Sequence, residues 1–277
     1  MGSNVFATGT AVGQFFDKTA DVWPEISGHG MHVGYWPDAG TTTMEAANDR
    51  FTELMIQKIR VGEGDRVLDV GCGIGGPALL LARSTGAQVQ GVTVSAEQVR
   101  RATANAERTG LSEQASFLCA DAMEMSFPAA SFDAAWFFES IMFMPDRVTA
   151  LARATGFLRP GSRIAVAEPF QRLTVTPDRR EQYDACLDNF GVRSLVTFDD
   201  YPTLLRRAGL EPMEIIDVTD ETMTSTSDFF LSTLRAKKSD LGETTDTDIV
   251  AGIEAAYASL AETPEIGYLV AVGRKTA

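Results

Sequence analysis

Short apolar runs alternate along most of the chain with longer segments in which apolar residues recur at helical spacing. The runs predict buried strands, and the segments between them predict amphipathic helices. The predicted strands are residues 67–70, 88–94, 115–120, 132–138, 163–168, 213–218 and 266–272. The predicted helices are residues 77–84, 95–109, 147–157, 198–209, 221–238 and 248–261. This alternation is typical of an α/β fold.

The first 60 residues lack this alternation. Residues 12–17 and 20–23 predict short helices, and residues 28–36 predict a loop that is rich in aromatic side chains. Residues 43–60 predict a longer helix with one apolar stripe. We therefore expect a helical cap at one end of the sheet.

A glycine-rich turn separates the first predicted strand from the first helix of the sheet. Gly71, Gly73 and Gly76 lie in this turn and satisfy the pattern G-x-G-x-x-G. Glycines permit a positive φ and let a ligand approach main-chain N–H groups. The start of the following helix adds a partial positive charge. The turn therefore predicts a ligand site.

The acid that a dinucleotide site needs is missing. Such a site has an Asp or Glu about 20 residues further on, at the end of the second strand, where it binds the ribose. Here that strand ends in Thr93 and Ser95. Asp69 instead stands two residues before the first glycine, and a carboxylate there suits a ligand that carries an ammonium group.

Composition and charge narrow the class of protein. The 277 residues are 44% hydrophobic and 22% charged, which predicts one large α/β domain with a small appendage. The formal net charge of −14 disfavours binding to nucleic acid or to anionic lipid. No apolar run reaches about 18 residues, and three scattered cysteines make no disulfide framework. We expect a soluble, cytoplasmic protein.

The two histidines, His29 and His32, lie three residues apart and would face one metal ion if they stood on a helix. Gly28 and Gly30 make a helix improbable there, and no cysteine or acidic cluster is nearby. We predict no metal site.

Four motifs in order carry a resemblance to a known family. The segments VLDVGCGIGGPALLLA, GVTVSAEQVRRA and ADAMEMSFPAASFDAAWFFES resemble the cofactor motifs of class I S-adenosylmethionine (SAM) dependent methyltransferases. With HVGYW before them and MPD after them, the resemblance spans about residues 29–170. These added motifs narrow the resemblance to a small-molecule branch of the family. That branch includes the rebeccamycin sugar O-methyltransferase and, more distantly, geranyl diphosphate C-methyltransferases and plant alkaloid N-methyltransferases.

The resemblance implies a fold and a domain organisation. The fold is a Rossmann-like, seven-stranded methyltransferase sheet with helices on both faces and an antiparallel last strand. A helical N-terminal cap, residues 1–60, would cover the pocket. A SAM-binding domain would span residues 61–277, with a helical lid insertion at about 170–198.

The resemblance also implies the cofactor, SAM, with S-adenosylhomocysteine as its product, and the residues that bind it. Thr93, Ser95 and Gln98 stand where most relatives have the ribose-binding acid, and they can form the same hydrogen bonds without charge. Asp121 would accept the adenine amino group. The implied cofactor residues are Tyr35, Asp69, Gly71, Gly73, Thr93, Ser95, Gln98, Asp121, Ala122, Met123 and Phe138.

The acceptor side departs from the sugar O-methyltransferases of this branch. Their catalytic histidines stand where this chain has Met142 and Phe143. Glu168 matches an acidic position that several relatives place at the substrate, and it is our candidate base, with His29 and His32 as alternatives. The residues predicted to contact the substrate are Phe16, Trp23, Met142, Phe143 and Phe170.

Three functions stay open at this point. An alcohol acceptor needs a base, whereas an amine or an alkene does not. An apolar pocket without those histidines therefore favours methyl transfer to carbon or nitrogen of a hydrophobic secondary metabolite, such as a terpenoid. The alternatives are an O-methyltransferase of a hydroxylated or glycosylated product and a cyclase that keeps SAM without transferring methyl. A small-molecule acceptor is the expected partner, and assembly into a homo-oligomer is left open.

Overall fold

The computed structural model describes residues 9–19, 32–38, 40–41, 43–237 and 247–276. The predicted site residues Trp23 and His29 lie outside these ranges. The strands are β1 (Arg66–Val70), β2 (Gln88–Thr93), β3 (Ala115–Cys119), β4 (Phe132–Phe138), β5 (Leu158–Gln171), β6 (Leu210–Asp217) and β7 (Ile266–Lys275).

The helices lie before, between and after these strands. They are α1 (Gly9–Thr19), α2 (Met44–Ile59), α3 (Gly76–Thr85), α4 (Ala96–Thr109), α5 (Arg147–Phe157), α6 (Arg180–Asn189), α7 (Tyr201–Arg207), α8 (Thr219–Ala236) and α9 (Thr247–Ala261). A single 3-10 turn, Ile141–Phe143, follows β4.

The seven strands form one sheet in the order β3-β2-β1-β4-β5-β7-β6. The first five are parallel, and β7 lies antiparallel between β5 and β6. The predicted seven-stranded sheet with an antiparallel last strand is confirmed. Strand order reverses between β1 and β4, and this reversal opens a crevice beyond their carboxyl ends, where α/β proteins bind ligands.

Helices cover both faces of the sheet, as predicted. Apolar residues of α5 and α7 pack against one face, and those of α2 and α3 pack against the other. Strand β4 lies at the centre, and its apolar side chains enter both cores. The buried Phe51 and Trp136 belong to the second core, and both are fully enclosed.

Several strands extend beyond their predicted ranges, and β7 continues to Lys275 rather than ending at residue 272. Strand β5 begins at Leu158 because this residue pairs with Phe132, so that the Pro160-Gly161 pair, which the sequence places in a turn, lies within the strand. Strand β6 begins at Leu210 and contains an irregularity before Glu214. The predicted start of α4 is confirmed, since the Ser95 hydroxyl accepts the N–H of Gln98 as an N-cap.

Candidate active site

A cavity of about 620 Å³ lies beyond the carboxyl ends of β1, β2 and β4. The glycine turn after β1 forms its floor, and the residues that follow β4 form one wall. Helices α1, α6 and α9 contribute the remaining walls. The cavity thus occupies the crevice that the strand order creates.

The glycine turn is in direct contact with the end of β4. Gly71 has a φ of +86°, and Gly73 has a φ of +53°. A Cβ on Gly71 would lie 2.2 Å from the Cβ of Ser140. The Ser140 hydroxyl also donates a hydrogen bond to the Val70 carbonyl, which holds the two strand ends together. Only glycine fits this turn.

The carboxyl group of Asp69 lies at the floor of the cavity and is 2% exposed. Burial raises its pKa to about 7. A cationic group in the cavity would stabilise the charged form of this carboxyl. The geometry therefore suits the ammonium-bearing ligand that the sequence predicts.

The three predicted ribose contacts fall into two positions. Thr93 and Gln98 line the cavity, and the Thr93 hydroxyl donates to the side-chain oxygen of Gln98 at 2.6 Å. Ser95 does not line the cavity. Its hydroxyl caps α4 and donates to Asp17, so it attaches α1 to the rest of the protein.

The turn after β3 presents Asp121 and Ala122 to the cavity. The Asp121 carboxylate accepts the N–H of Met123 at 2.8 Å. The Met123 side chain packs against a core cluster, and its N–H already donates to Asp121. Of the two main-chain donors predicted for adenine, Ala122 is therefore the one that faces the cavity.

Tyr35 does not reach the cavity. Its N–H donates to the Ala47 carbonyl at 3.0 Å, and its ring lies 5.8 Å from that of Phe51 on α2. These contacts direct the side chain into the packing between the cap segment and α2. The structure thus does not bring Tyr35 to the other predicted cofactor residues.

Phe138 and His32 form one stacked pair on the cavity wall. Their ring centroids are 4.0 Å apart at an interplanar angle of 25°. The Nδ1 atom of His32 donates to the Val33 carbonyl at 2.8 Å. Burial lowers the pKa of His32 to about 4, so the ring is neutral at neutral pH.

Glu139 is a functional candidate to which the sequence prediction assigned no role. It follows β4 directly, lines the cavity and has a φ of +50°, which is rare for a side-chain-bearing residue. Its Oε1 atom accepts the N–H of Val33 at 2.7 Å and the hydroxyl of Tyr268 at 2.8 Å. The available signal was its position at the end of a buried strand, beyond which α/β proteins bind ligands.

The surroundings of Glu139 raise the pKa of its carboxyl group. Desolvation raises the pKa of the carboxyl to about 7, against the two hydrogen bonds, which favour the charged form. The Oε2 atom has no hydrogen-bond partner in the described ranges. A half-ionised carboxyl with one unoccupied oxygen thus faces the cavity.

Glu168, the predicted base, does not line the cavity. It is 1% exposed, and its carboxylate pairs with Arg147 at 3.0 Å and accepts the hydroxyl of Tyr201 at 2.8 Å. Burial raises its pKa, and the Arg147 charge opposes this shift. Because these partners occupy the carboxylate within the protein, the geometry argues against a role in proton removal.

The acceptor side of the cavity is mostly apolar. Phe16, Met142 and Phe143 line it as predicted, and the rings of Phe16 and Phe143 meet edge to face at 5.7 Å. Phe170 does not line it. Pro169 faces the cavity instead, and alternation along β5 sends Phe170 into the core, where it lies 5.7 Å from Phe198.

Helices α6 and α9 supply apolar residues that the sequence prediction missed. Both lie in the C-terminal half of the chain, and long-range packing brings them to the cavity. No local pattern distinguishes these side chains from core residues. They include Leu187, Phe190, Ile249, Ile253 and Leu260.

Neither a metal-binding cluster nor a membrane-spanning helix occurs among the described residues. They contain no group of three His, Cys, Asp or Glu side chains arranged to hold a metal ion. Within the same part of the chain, no helix combines the length and the apolar character that crossing a bilayer requires.

Comparison with known proteins supports the reading of this cavity. The model of a methyltransferase domain family matches residues 67–161. The 27-O-demethylrifamycin SV methyltransferase of Amycolatopsis mediterranei is 33% identical, and the match covers 97% of this chain and 98% of that protein. The crystal structure of the [4+2]-cyclase SpnF has a TM-score of 0.84 and 31% identity, and the match covers 98% of this chain and 97% of that chain.

The geranyl diphosphate C-methyltransferase from Streptomyces coelicolor A3(2), whose crystal structure contains S-adenosyl-L-homocysteine, shares the fold. Its TM-score is 0.74 at 19% identity, and the match covers 98% of this chain and 99% of that chain.

The residues around the cavity fit SAM as the cofactor. Gly71 and Gly73 bring main-chain atoms that no Cβ shields to the cavity, and the buried Asp69 carboxyl suits the ammonium group of SAM. Thr93 and Asp121 offer hydrogen-bonding groups for a ribose and an adenine. With relatives that match nearly the whole chain, this fit leads to one conclusion: the chain belongs to the natural-product branch of the class I SAM-dependent methyltransferases.

Proposed function

We propose that the protein methylates a hydroxyl oxygen of a hydrophobic natural product, with Glu139 as the general base. The sequence alone favoured carbon or nitrogen, because the family histidines are replaced by Met142 and Phe143. The observation that carries the proposal is the Glu139 carboxyl, which lines the cavity with a pKa raised to about 7. A base is therefore available for an alcohol acceptor.

The choice between Glu139 and His32 as the base rests on their pKa values. A general base works best when its pKa lies near the operating pH. The pKa of Glu139 is raised to about 7, whereas that of His32 is lowered to about 4. His32 also has one ring nitrogen bound to the Val33 carbonyl. Glu139 is thus the stronger base at neutral pH.

The geometry of Glu139 also suits the removal of a proton. Val33 and Tyr268 both donate to Oε1, so the carboxylate is held in one orientation. This leaves Oε2 to accept the proton of an acceptor hydroxyl in the cavity. When bound, SAM supplies a methyl group activated by the positive sulfonium. The protein holds the acceptor oxygen near that methyl group, which lowers the barrier through positioning.

We assign the binding of the cofactor to residues that converge on the cavity floor. Asp69 takes the ammonium group, and Thr93 with Gln98 takes the ribose. Asp121 and the main-chain N–H of Ala122 take the adenine. These roles follow the positions of the side chains on the cavity wall and the donors and acceptors that they carry.

We assign the role of a lid to α1 and to residues 187–195. These segments lie within the predicted cap, residues 1–60, and the predicted insertion at about 170–198. Phe16 of α1 contacts Phe143 across the cavity, and Asp17 accepts a hydrogen bond from Ser95. These contacts close the cavity over its apolar side. Exclusion of water there strengthens the electrostatic interactions of Glu139.

The similarity to the 27-O-demethylrifamycin SV methyltransferase supports an oxygen acceptor. The similarity to the cyclase SpnF supports a second candidate, a protein that binds SAM and folds or cyclises a hydrophobic substrate without methyl transfer. Both candidates use the same apolar cavity. They differ in whether Glu139 removes a proton from an alcohol.

The test is a transfer assay with SAM labelled on the methyl group. The acceptor panel contains hydroxylated macrolactones, terpenoid alcohols, and analogues in which the hydroxyl is replaced by an amine or an alkene. We expect the label to appear as a methoxy group, as determined by NMR. Label on carbon or nitrogen would contradict the proposed acceptor atom. Tight SAM binding with a rearranged, unlabelled product would favour the cyclase.

Glu168 is expected to stabilise the fold rather than to act in the reaction. Replacing Glu168 by Gln leaves Arg147 without its buried ionic partner, and breaking such a pair lowers the free energy of unfolding by about 3 kcal/mol. Denaturant unfolding measures this loss. The transfer rate per folded molecule should stay within about twofold of the wild-type rate, and a hundredfold loss of that rate would restore Glu168 as the base.

A further inference from the structure

Tyr257 on α9 lines the cavity but has no role in the site described above. The side chain is 8% exposed. Its ring stacks on that of Phe230, with centroids 4.2 Å apart and an interplanar angle of 14°. The ring of Phe190 meets it edge to face at 5.5 Å. These contacts fix the ring and therefore fix the position of its hydroxyl group.

The Tyr257 hydroxyl has no hydrogen-bond partner among the described residues. A hydroxyl on a cavity wall that has no partner within the protein is open to bond a molecule that enters the cavity. Tyr268 differs, since its hydroxyl donates to Glu139 at 2.8 Å. Tyr257 is more exposed than Tyr268 and lies on the cavity wall. A partner that enters the cavity would satisfy it.

The chemistry of this hydroxyl is that of a donor. Burial raises the pKa of Tyr257, and the negative charge of Glu139 raises it further. The phenol therefore stays protonated over the whole physiological range. Tyr257 and Glu139 both line the cavity. One acceptor molecule in the cavity can therefore contact both.

We infer that the Tyr257 hydroxyl binds the acceptor by donating a hydrogen bond to a second oxygen of the molecule whose hydroxyl Glu139 deprotonates. The inference rests on the proposed function and narrows the class of acceptor. The acceptor is an apolar molecule with two oxygens that lie within the cavity. One is the hydroxyl that becomes methylated, and the other is a hydroxyl, ether or carbonyl oxygen.

Because its surroundings are apolar, this hydrogen bond should discriminate between acceptors that carry the second oxygen and acceptors that lack it. Around Tyr257 the wall consists of Ile253, Leu260, Phe190 and other apolar side chains. A site built to bond one oxygen rejects an analogue that lacks it, because the buried hydroxyl is then left unpaired. Tyr257 should thus select among molecules of similar size and shape.

The test compares two acceptors in two variants. The first acceptor is the oxygenated macrolactone or terpenoid of the panel that binds most tightly to the protein saturated with S-adenosylhomocysteine. The second is its analogue that lacks the second oxygen, the one that Tyr257 would bind. The variant Tyr257→Phe removes only the hydroxyl. The control is Tyr183→Phe, because Tyr183 is also a buried tyrosine but does not line the cavity.

We expect Tyr257→Phe to weaken binding of the first acceptor about tenfold and to leave binding of the analogue within about twofold. Tyr183→Phe should change neither. Calorimetry measures both affinities, and SAM affinity should be the same in all variants. A merely structural role of Tyr257 would weaken both acceptors equally, and this result, or no change for either acceptor, would overturn the inference.

Failure of this inference is distinguishable from failure of the proposed function. The binding comparison does not depend on which atom is methylated. Label on carbon or nitrogen would refute the O-methyltransferase proposal while the binding preference for the second oxygen stands. Label on oxygen with no binding preference would refute the role of Tyr257 alone.

Discussion

Replacing Glu139 by glutamine is expected to lower the rate of methyl transfer by about 10²–10⁴-fold, the usual contribution of a placed general base. Glutamine has nearly the same shape and can still accept the hydrogen bonds of Val33 and Tyr268. The variant should therefore fold and bind SAM as the wild type does. Single-turnover transfer to the labelled acceptor measures the rate, and calorimetry measures the SAM affinity.

The pH dependence provides a second measure of the same role. Because the pKa of Glu139 is raised to about 7, the base is protonated and inactive below that pH. The wild-type rate should fall about tenfold per pH unit on the acidic side and level off above pH 7. Glu139→Gln should lose this acidic limb.

The matched control for this variant is Glu181→Gln. Glu181 is an exposed carboxylate on α6 that does not line the cavity, and its replacement removes one negative charge without removing the proposed base. Its transfer rate and acidic limb should match the wild type. If Glu139→Gln retained the wild-type rate and pH profile, Glu139 would not be the base, and an acceptor that needs none, such as an amine, would be favoured.

Replacing Gly71 by alanine is expected to weaken SAM binding at least about a hundredfold, which corresponds to about 3 kcal/mol. The new Cβ would lie 2.2 Å from the Cβ of Ser140, so β1 and β4 would have to separate at the floor of the cavity. The φ of +86° adds strain of about 1 kcal/mol for an alanine. Calorimetric titration with SAM measures the loss.

Gly64→Ala separates the two causes. Gly64 has a φ of +83°, nearly that of Gly71, but a Cβ there would meet nothing within 4 Å. This variant should lose about 1 kcal/mol of stability and keep its SAM affinity. Wild-type affinity in Gly71→Ala would contradict the assignment of the glycine turn to the cofactor. Equal loss in both variants would mean that backbone strain, rather than the contact with Ser140, is responsible.

Sequence patterns determined the architecture of this protein well. The apolar runs predicted all seven strands, because most of the strands bury side chains along their own length and this leaves a local signal. The glycines between β1 and α3 predicted the ligand turn, because a positive φ is a local backbone requirement. Asp69, Thr93 and Asp121 line the cavity because each stands at or near the carboxyl end of a parallel strand, and such ends meet at one edge of the sheet.

Tertiary structure decided which of several similar side chains face the cavity. Glu168 and Glu139 both stand at or just after the ends of predicted strands. In the structure Arg147 and Tyr201 engage Glu168, which lies within β5, whereas Glu139 lines the cavity. The sequence could not separate them, because the partners of Glu168 lie 21 and 33 positions away along the chain.

The acceptor side depended even more on long-range packing. Phe170 was expected at the substrate, but the register of β5 with β7 turns it into the core. Tyr257 had no local feature to distinguish it from a core tyrosine, and the packing of α9 brings it to the cavity wall. A strand or helix pattern states that a residue is buried, but only the pairing of distant segments decides whether it is buried in a core or at a cavity. The sequence by itself therefore determined the fold and the cofactor, and the tertiary structure decided which carboxyl groups and apolar side chains line the cavity.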